Sequence, residues 1–418
     1  MDVKTETLGV KSIDHKNNST HLRVLFVVEG NTDIRFLSGL SEICDLTVIV
    51  PEKEYHESGL EARVKEAGLR ITVDMVRGNR LEYQKRCLNH IWRRAAKIDI
   101  ILAQEVLRGA LNSCIVGWLR KRPVMTYMCM PPVQYYRCRR ARSQIGPMTA
   151  LSGEVIIRSL MRINGVLATR WMALGPYLFD IAFRYSSHTV KTLYYGVDTE
   201  YYRPVSHSEQ LDLRRRLDLP REKFLILLSS RISHEKDPET VLRATAEARA
   251  QGLDAAVLNL GGGYRDFLQL AKRASLPNSE DWVLGRPAAH PMRELAQYYQ
   301  ASNILAQASL EEGAGMAPLE ALACGIPAVC TAVGGLARIL PGYARLVPRG
   351  DSAAMAREFQ WVATNRVAAL EQALQGREYV ANEWSREQAF STLSRALLDV
   401  YAEYYGAESR VSSRPTTE

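Results

Sequence analysis

Paired metal-binding side chains are missing from this chain. None of its histidines or cysteines falls in an H-x-x-x-H or C-x-x-C spacing, so no metal site is readable. The seven cysteines (Cys44, Cys87, Cys114, Cys129, Cys138, Cys324 and Cys330) are odd in number and scattered. Such a set reads as reduced thiols, hence cytoplasm, and not as a disulfide framework. Long apolar runs are missing as well. The polar segment 1–20 has no apolar core of signal-peptide length, which argues against secretion by that route. The longest uncharged stretch, between Glu320 and Arg338, is broken by Gly325, Pro327, Gly334 and Gly335, so it is no membrane span. Neither leading strand-like run is followed by G-x-G-x-x-G, which argues against a dinucleotide dehydrogenase. Zinc-finger spacing and an aromatic-bearing strand pair are lacking too, which argues against sequence-specific nucleic-acid binding.

What remains is an ordinary globular composition, 46% apolar and 24% charged, in 418 residues. That length predicts two or three domains. Charge is placed unevenly. Between Arg70 and Arg170 there are 19 Lys+Arg against 5 Asp+Glu, although the whole chain carries only +8. This zone is either a plain solvated face or a surface for phosphate groups, anionic lipid or nucleic acid, and Tyr135 and Tyr136 beside the arginines suit an amphipathic partner.

Short apolar, β-branched runs alternate with helix-like segments. Arg23–Val28, Leu46–Val50, Asp99–Ala103, Val124–Tyr127, Gly165–Thr169 and Thr192–Tyr195 read as strands, with helices over Asp33–Cys44 and Arg108–Leu119 among them. The pattern restarts after the charged, proline-bearing stretch Arg203–Lys223. Phe224–Ser229, Ala256–Leu260, Asp281–Leu284, Asn303–Ala306 and Pro327–Cys330 are its strands. Strands alternating with helices predict parallel sheets covered on both faces. The fold class is therefore α/β, with two Rossmann-like parallel-sheet domains facing a cleft. The expected divisions are a polar segment over 1–20, a first domain over 21–203, a second over 204–385, a helix over 386–407 packing back on the first domain, and a disordered polar tail over 408–418. Open α/β sheets bind ligands beyond the carboxyl ends of their strands.

Three segments at such strand ends carry chemistry. In Ser229–Lys236, Arg231 offers a planar fork and Lys236 a point charge, a pair suited to a diphosphate. Gly261, Gly262 and Gly263 follow the next strand and allow close backbone approach. In Glu311–Glu320, the N–H groups of Gly313, Ala314, Gly315 and Met316 precede a helix and form a ready anion site. Glu312 and Glu320 flank that turn, and carboxylates accept from paired hydroxyls such as sugar or ribose diols.

The order of these motifs resembles the retaining GT-B glycosyltransferases of family four (glycosyl transferases group 1). The matching pieces include Tyr195-Gly196-Val197-Asp198, the Arg231 and Lys236 pair, the Gly261–Gly263 turn, Val283-Leu284-Gly285, Tyr299–Asn303, the Glu311–Gly335 segment and Asn382-Glu383-Trp384-Ser385. The resemblance implies a transferase that moves a hexosyl-type sugar from a nucleotide diphosphate sugar to an acceptor hydroxyl, retaining anomeric configuration. It implies that Arg231 and Lys236 hold the diphosphate with Ser230 close by, Glu312 binds the donor sugar, Glu320 the ribose, and Gly285 and Arg286 lie near the base. It further implies no cofactor and no metal, the nucleotide sugar being substrate.

The first half departs from the family pattern. Glu29-Gly30-Asn31 stands where many relatives have a Gly-rich loop, and Cys129 stands where many place a histidine. Glu29, Gly30, Asn31, Tyr127 and Tyr135 are the candidate acceptor-side residues, with Tyr136 beside them. The acceptor is a lipid-linked glycan or a small molecule. A lipid-linked one would suit peripheral contact of the Arg70–Arg170 zone with the inner face of the membrane. The competing readings are an epimerase or phosphorylase of the same architecture, and a non-catalytic binder of membrane or nucleic acid.

Overall fold

The computed structural model describes residues 21–30, 32–140, 146–287 and 292–412. They form two lobes, each built on one parallel sheet. The first sheet contains β1 (Arg23–Val27), β2 (Asp45–Pro51), β3 (Thr72–Val76), β4 (Ile100–Ala103), β5 (Val124–Met128), β6 (Arg170–Leu174) and β7 (Thr189–Thr192), in the order β3-β2-β1-β4-β5-β6-β7. The second contains β8 (Phe224–Leu228), β9 (Ala255–Leu260), β10 (Val283–Arg286), β11 (Ile304–Gln307), β12 (Ala328–Thr331) and β13 (Arg345–Val347), in the order β10-β9-β8-β11-β12-β13. The central strands are apolar on both faces because helices cover both sides. Val24 to Val27 and Leu225 to Leu228 are all buried.

In each sheet the strand order reverses beside the first strand, at β1/β4 and at β8/β11. Loops diverge at such a point and leave a crevice. The chain crosses between lobes twice, and the crossings are paired. Val197 N–H donates to the Trp384 carbonyl, 2.8 Å, and Arg386 N–H donates to the Val197 carbonyl, 3.0 Å. Gly196 has φ +62°, and a Cβ there would run into the Ser385 backbone. The last helix, Arg386–Ser412, then returns to the first lobe. Arg386 meets Glu42 at 2.5 Å, and Glu403 meets Arg170 at 2.6 Å.

The structure corrects several expectations. Residues 165–167 end a 21-residue helix, Pro147–Leu167, and the strand begins only at Arg170. Thr192 closes β7, and Leu193–Tyr195 lie beyond it. The edge strands β3 and β13, half polar and short, escaped the periodicity. The tail expected from Glu408 is helical as far as Ser412, and 413–418 lie outside the described residues.

Candidate active site

The loop after β8 and the loop after β1 face each other at the two reversal points. Between them lies a cavity of about 310 Å³ lined by both lobes. The second lobe supplies Ser230, Arg231, Lys236, Gln307, Glu312, Tyr299 and Glu320, together with Ala314 to Ala317. The first supplies Arg35, Cys129, Leu174, Tyr194 and Tyr195.

At the cavity wall the Lys236 ammonium donates to Glu312 Oε2, 2.5 Å away. The same oxygen accepts from Gln307 Nε2 at 2.7 Å and Ser309 Oγ at 3.1 Å. The latter two donors fix that carboxylate against the lysine. The Ser230 hydroxyl, on the same wall, is buried without a protein partner. Next to it the helix Met316–Ala323 begins, capped by Gly315 at φ +85°. Its first residues line the cavity, so its unpaired N–H groups sit at the wall. Cations and amide dipoles thus gather around one small space.

Arg231 is the more exposed of the two expected cations, with 60% of its side chain open to solvent against 19% for Lys236. Its guanidinium donates to Glu235 Oε1 at 2.9 Å and Tyr135 Oη at 3.3 Å, and Tyr135 Oη–H donates to Glu235 at 2.8 Å. Burial works against the Glu235 charge. Its own backbone N–H, Tyr135 and Arg231 outweigh that and bring the carboxyl down to about 2. Tyr135 belongs to the first lobe, so this triad bridges the cleft.

Glu320 is held by groups to which the sequence assigned no role. Its Oε1 accepts from Arg35 Nη1 at 2.5 Å, and its Oε2 from Tyr299 Oη at 2.6 Å. Arg35 also clamps Asp33 through Nε and Nη2, at 2.9 and 2.8 Å, and donates to Tyr195 Oη at 2.6 Å. Burial opposes both charges of that clamp. The mutual attraction still holds the Asp33 carboxyl below its usual range and keeps Arg35 protonated. Asp33 is at the same time the N-cap of the helix Ile34–Ile43, which fixes where Arg35 starts.

The glycines divide by role. Gly261 packs against the Ser230 carbonyl, and Gly262 O accepts from Ile232 N–H at 2.8 Å, so this turn braces the Arg231 loop. Gly263, at φ +82°, lies against Ile232. Gly313 brings the two lobes together, because a Cβ there would be 2.8 Å from the Cys129 carbonyl oxygen. Cys129 itself lines the cavity, and burial pushes its thiol far up, leaving it neutral. Gly285 packs on Tyr264, and Arg286 turns to Asp218 at 3.6 Å; neither lines the cavity.

The acceptor-side candidates are scattered. Tyr127 is buried in the first core and accepts from Thr192 Oγ1 at 3.0 Å, so its role is packing, not contact with an acceptor. Tyr136 rests on the helix Pro147–Leu167. Glu29 accepts from Gln84 and faces Glu105 outside the cavity. Gly30 stands in open space, and Asn31 lies outside the described residues.

Residues 209–380 match the family model described as Glycosyl transferases group 1. The chain carries a glycosyl transferases group 1 domain. That domain supplies most of the cavity wall, Arg231, Lys236, Glu312 and Glu320 included. Among curated relatives, the D-inositol 3-phosphate glycosyltransferase 1 of Catenulispora acidiphila is 36% identical over 156 residues, which is 35% of this chain and 36% of the relative. The D-inositol 3-phosphate glycosyltransferase of Stackebrandtia nassauensis is 30% identical over 216 residues, 49% of this chain and 46% of the relative. The chain thus spans about a third to a half of the length of these relatives. In overall structure it is similar to Anabaena HepE in complex with UDP, with a TM-score of 0.71 at 16% identity, over 90% of this chain and 100% of that one. WaaG, a glycosyltransferase involved in lipopolysaccharide biosynthesis, gives 0.61 at 12% identity, over 94% and 100%. The fold around the group 1 domain is therefore GT-B.

Proposed function

We propose that this chain is a glycosyltransferase that moves a hexosyl-type group from a nucleotide diphosphate sugar to an acceptor hydroxyl. The observation that carries the reading is the Lys236–Glu312 pair at the wall of a cleft where both reversal points meet. Lys236, Arg231 and the N-terminus of the helix Met316–Ala323 take the diphosphate and stabilise charge on it as it departs. Glu312 accepts from sugar hydroxyls, and Glu320 from the ribose. The bond from the anomeric carbon to the phosphate oxygen breaks, with its electron pair going to the diphosphate. The acceptor oxygen attacks from the same face, so configuration is retained, and its proton passes to the departing phosphate. In this reading protein cations and amide dipoles offset the leaving-group charge without a metal.

HepE was crystallised with UDP and with UDP-glucose, which makes UDP-glucose the first donor to try. The relatives' inositol phosphate is matched over too short a stretch to carry over as acceptor. A thermal-shift panel of nucleotide diphosphates and nucleotide sugars tests the reading, since a ligand of the native state raises Tm by mass action. A rise with one nucleotide diphosphate, abolished in Lys236→Ala, is expected. No response to any member of the panel removes the donor site. A donor interconverted without acceptor would turn the reading toward an epimerase.

A further inference from the structure

The helix Pro147–Leu167 wears its apolar residues on the outside. Its buried positions are Ala150, Met161 and Asn164. Met148, Leu151, Val155, Ile156, Ile163 and Val166 are exposed instead, Met148 by 81% and Val166 by 84%. At 100° per residue these six fall within an arc of roughly 140° on one side of the helix. Soluble surfaces rarely gather that many large apolar side chains in a row, and such a patch marks a contact surface. At 21 residues the helix presents it along roughly 30 Å.

The surroundings identify the partner. Between Arg108 and Arg184 there are 12 Lys+Arg and 2 Asp+Glu. Both acidic residues are engaged: Glu154 by Arg137 and Arg158, and Asp180 by Arg338. Arg139, Arg162 and Arg184 remain exposed: Arg162 on the helix itself, Arg139 on the helix packed against it, and Arg184 next to Tyr185, whose carbonyl meets Gly165 of the helix. Many basic residues further upstream, by contrast, are spent within the lobe, as with Arg77 on Glu52 and Arg94 on Asp74. An apolar stripe flanked by exposed arginines is the pattern of a helix lying in the plane of an anionic lipid surface. Among the described residues no helix is long and apolar enough to cross a membrane, so the contact is one of lying on and not of spanning.

We propose that the outer face of Pro147–Leu167 docks the first lobe onto an anionic bilayer. Apolar side chains enter the acyl boundary, and the flanking arginines pair with lipid phosphates. Docking stands independently of the transfer reading. Its use, bringing a lipid-borne acceptor to the cleft, rests on that reading.

Co-sedimentation with phosphatidylglycerol/phosphatidylcholine vesicles, against phosphatidylcholine alone, tests it on the full chain. Binding to the anionic vesicles is expected at least tenfold above neutral ones. The double variant Ile156→Glu/Val166→Glu should lose at least tenfold of it, while keeping its unfolding transition and any nucleotide response. Equal binding of variant and wild type, or no preference for anionic lipid, overturns the proposal. So does self-association in solution that the same double variant abolishes, because the face would then belong to a second copy of the chain. A failed donor panel with intact vesicle binding would leave the docking standing and remove only the transfer reading.

Discussion

Arg35 and Glu320 are joined across the cleft, Nη1 to Oε1 at 2.5 Å, from opposite lobes and 285 residues apart. Only 15% and 4% of the two side chains are exposed, so each charge depends mainly on its protein partners. Arg35→Ala leaves Glu320 buried, and Asp33 half-buried, without their cation, and breaking a buried pair costs about 3–5 kcal/mol. The expected result is a lowered Tm in calorimetry together with a raised KM for donor. Arg35→Lys, which lacks the fork that clamps Asp33, should recover part of the stability and little of the KM.

Lys236→Ala removes the ammonium fixed on Glu312. If that cation stabilises the departing diphosphate, kcat falls by about 10²–10³-fold, the loss seen when one electrostatic stabiliser of a transition state is deleted. Glu312→Gln keeps the side chain's shape and removes its charge. It should depress turnover with a smaller change in Tm than Lys236→Ala. Steady-state kinetics on both variants, with their thermal transitions, checks this.

Glu105 should make stability fall with rising pH. Burial first, and the neighbouring Glu29 second, push its carboxyl up to about 8. Below the ordinary carboxylate range both folded and unfolded chains hold the proton, and the contribution is fully present. As pH rises toward 8 only the unfolded chain releases it, so stability drains away through that window. Tm of the wild type should therefore decline between pH 5 and pH 8 more steeply than that of Glu105→Gln. Parallel declines would show that Glu105 is not the group responsible.

Gly334→Ala tests the bracing of the sugar-side loop. Gly334 has φ +45°, and a Cβ there would run into the Glu312 carbonyl oxygen. The substitution is strained in conformation and in space, and should cost more than about 1 kcal/mol. Because the displaced backbone carries Glu312, donor affinity should fall with stability. Urea unfolding and a nucleotide thermal shift measure the two.

Much of the second lobe was legible because its grammar is local. Phe224–Ser229 followed by Arg231 and Lys236, and a glycine turn entering a helix after Glu312, each tell their place within a dozen residues. The helix Pro147–Leu167 was not legible, since side chains on its outer face are as apolar as those it buries, and the periodicity that separates inside from outside vanishes. Tyr127 misled for the opposite reason, because a tyrosine beside a cleft and one inside a core look alike until Thr192 is seen to satisfy its hydroxyl.

The sequence alone determined two parallel sheets and the strand ends at which cations and carboxylates would gather. A residue's neighbours within one strand-turn-helix unit are set by backbone geometry over a few positions. Only the tertiary structure decided that Arg35 would close on Glu320, that Tyr135 would reach Glu235, and that Gly313 would meet Cys129. Those contacts join segments with no local relation, and they exist because the paired crossings at Val197 and Ser385 hold one lobe against the other.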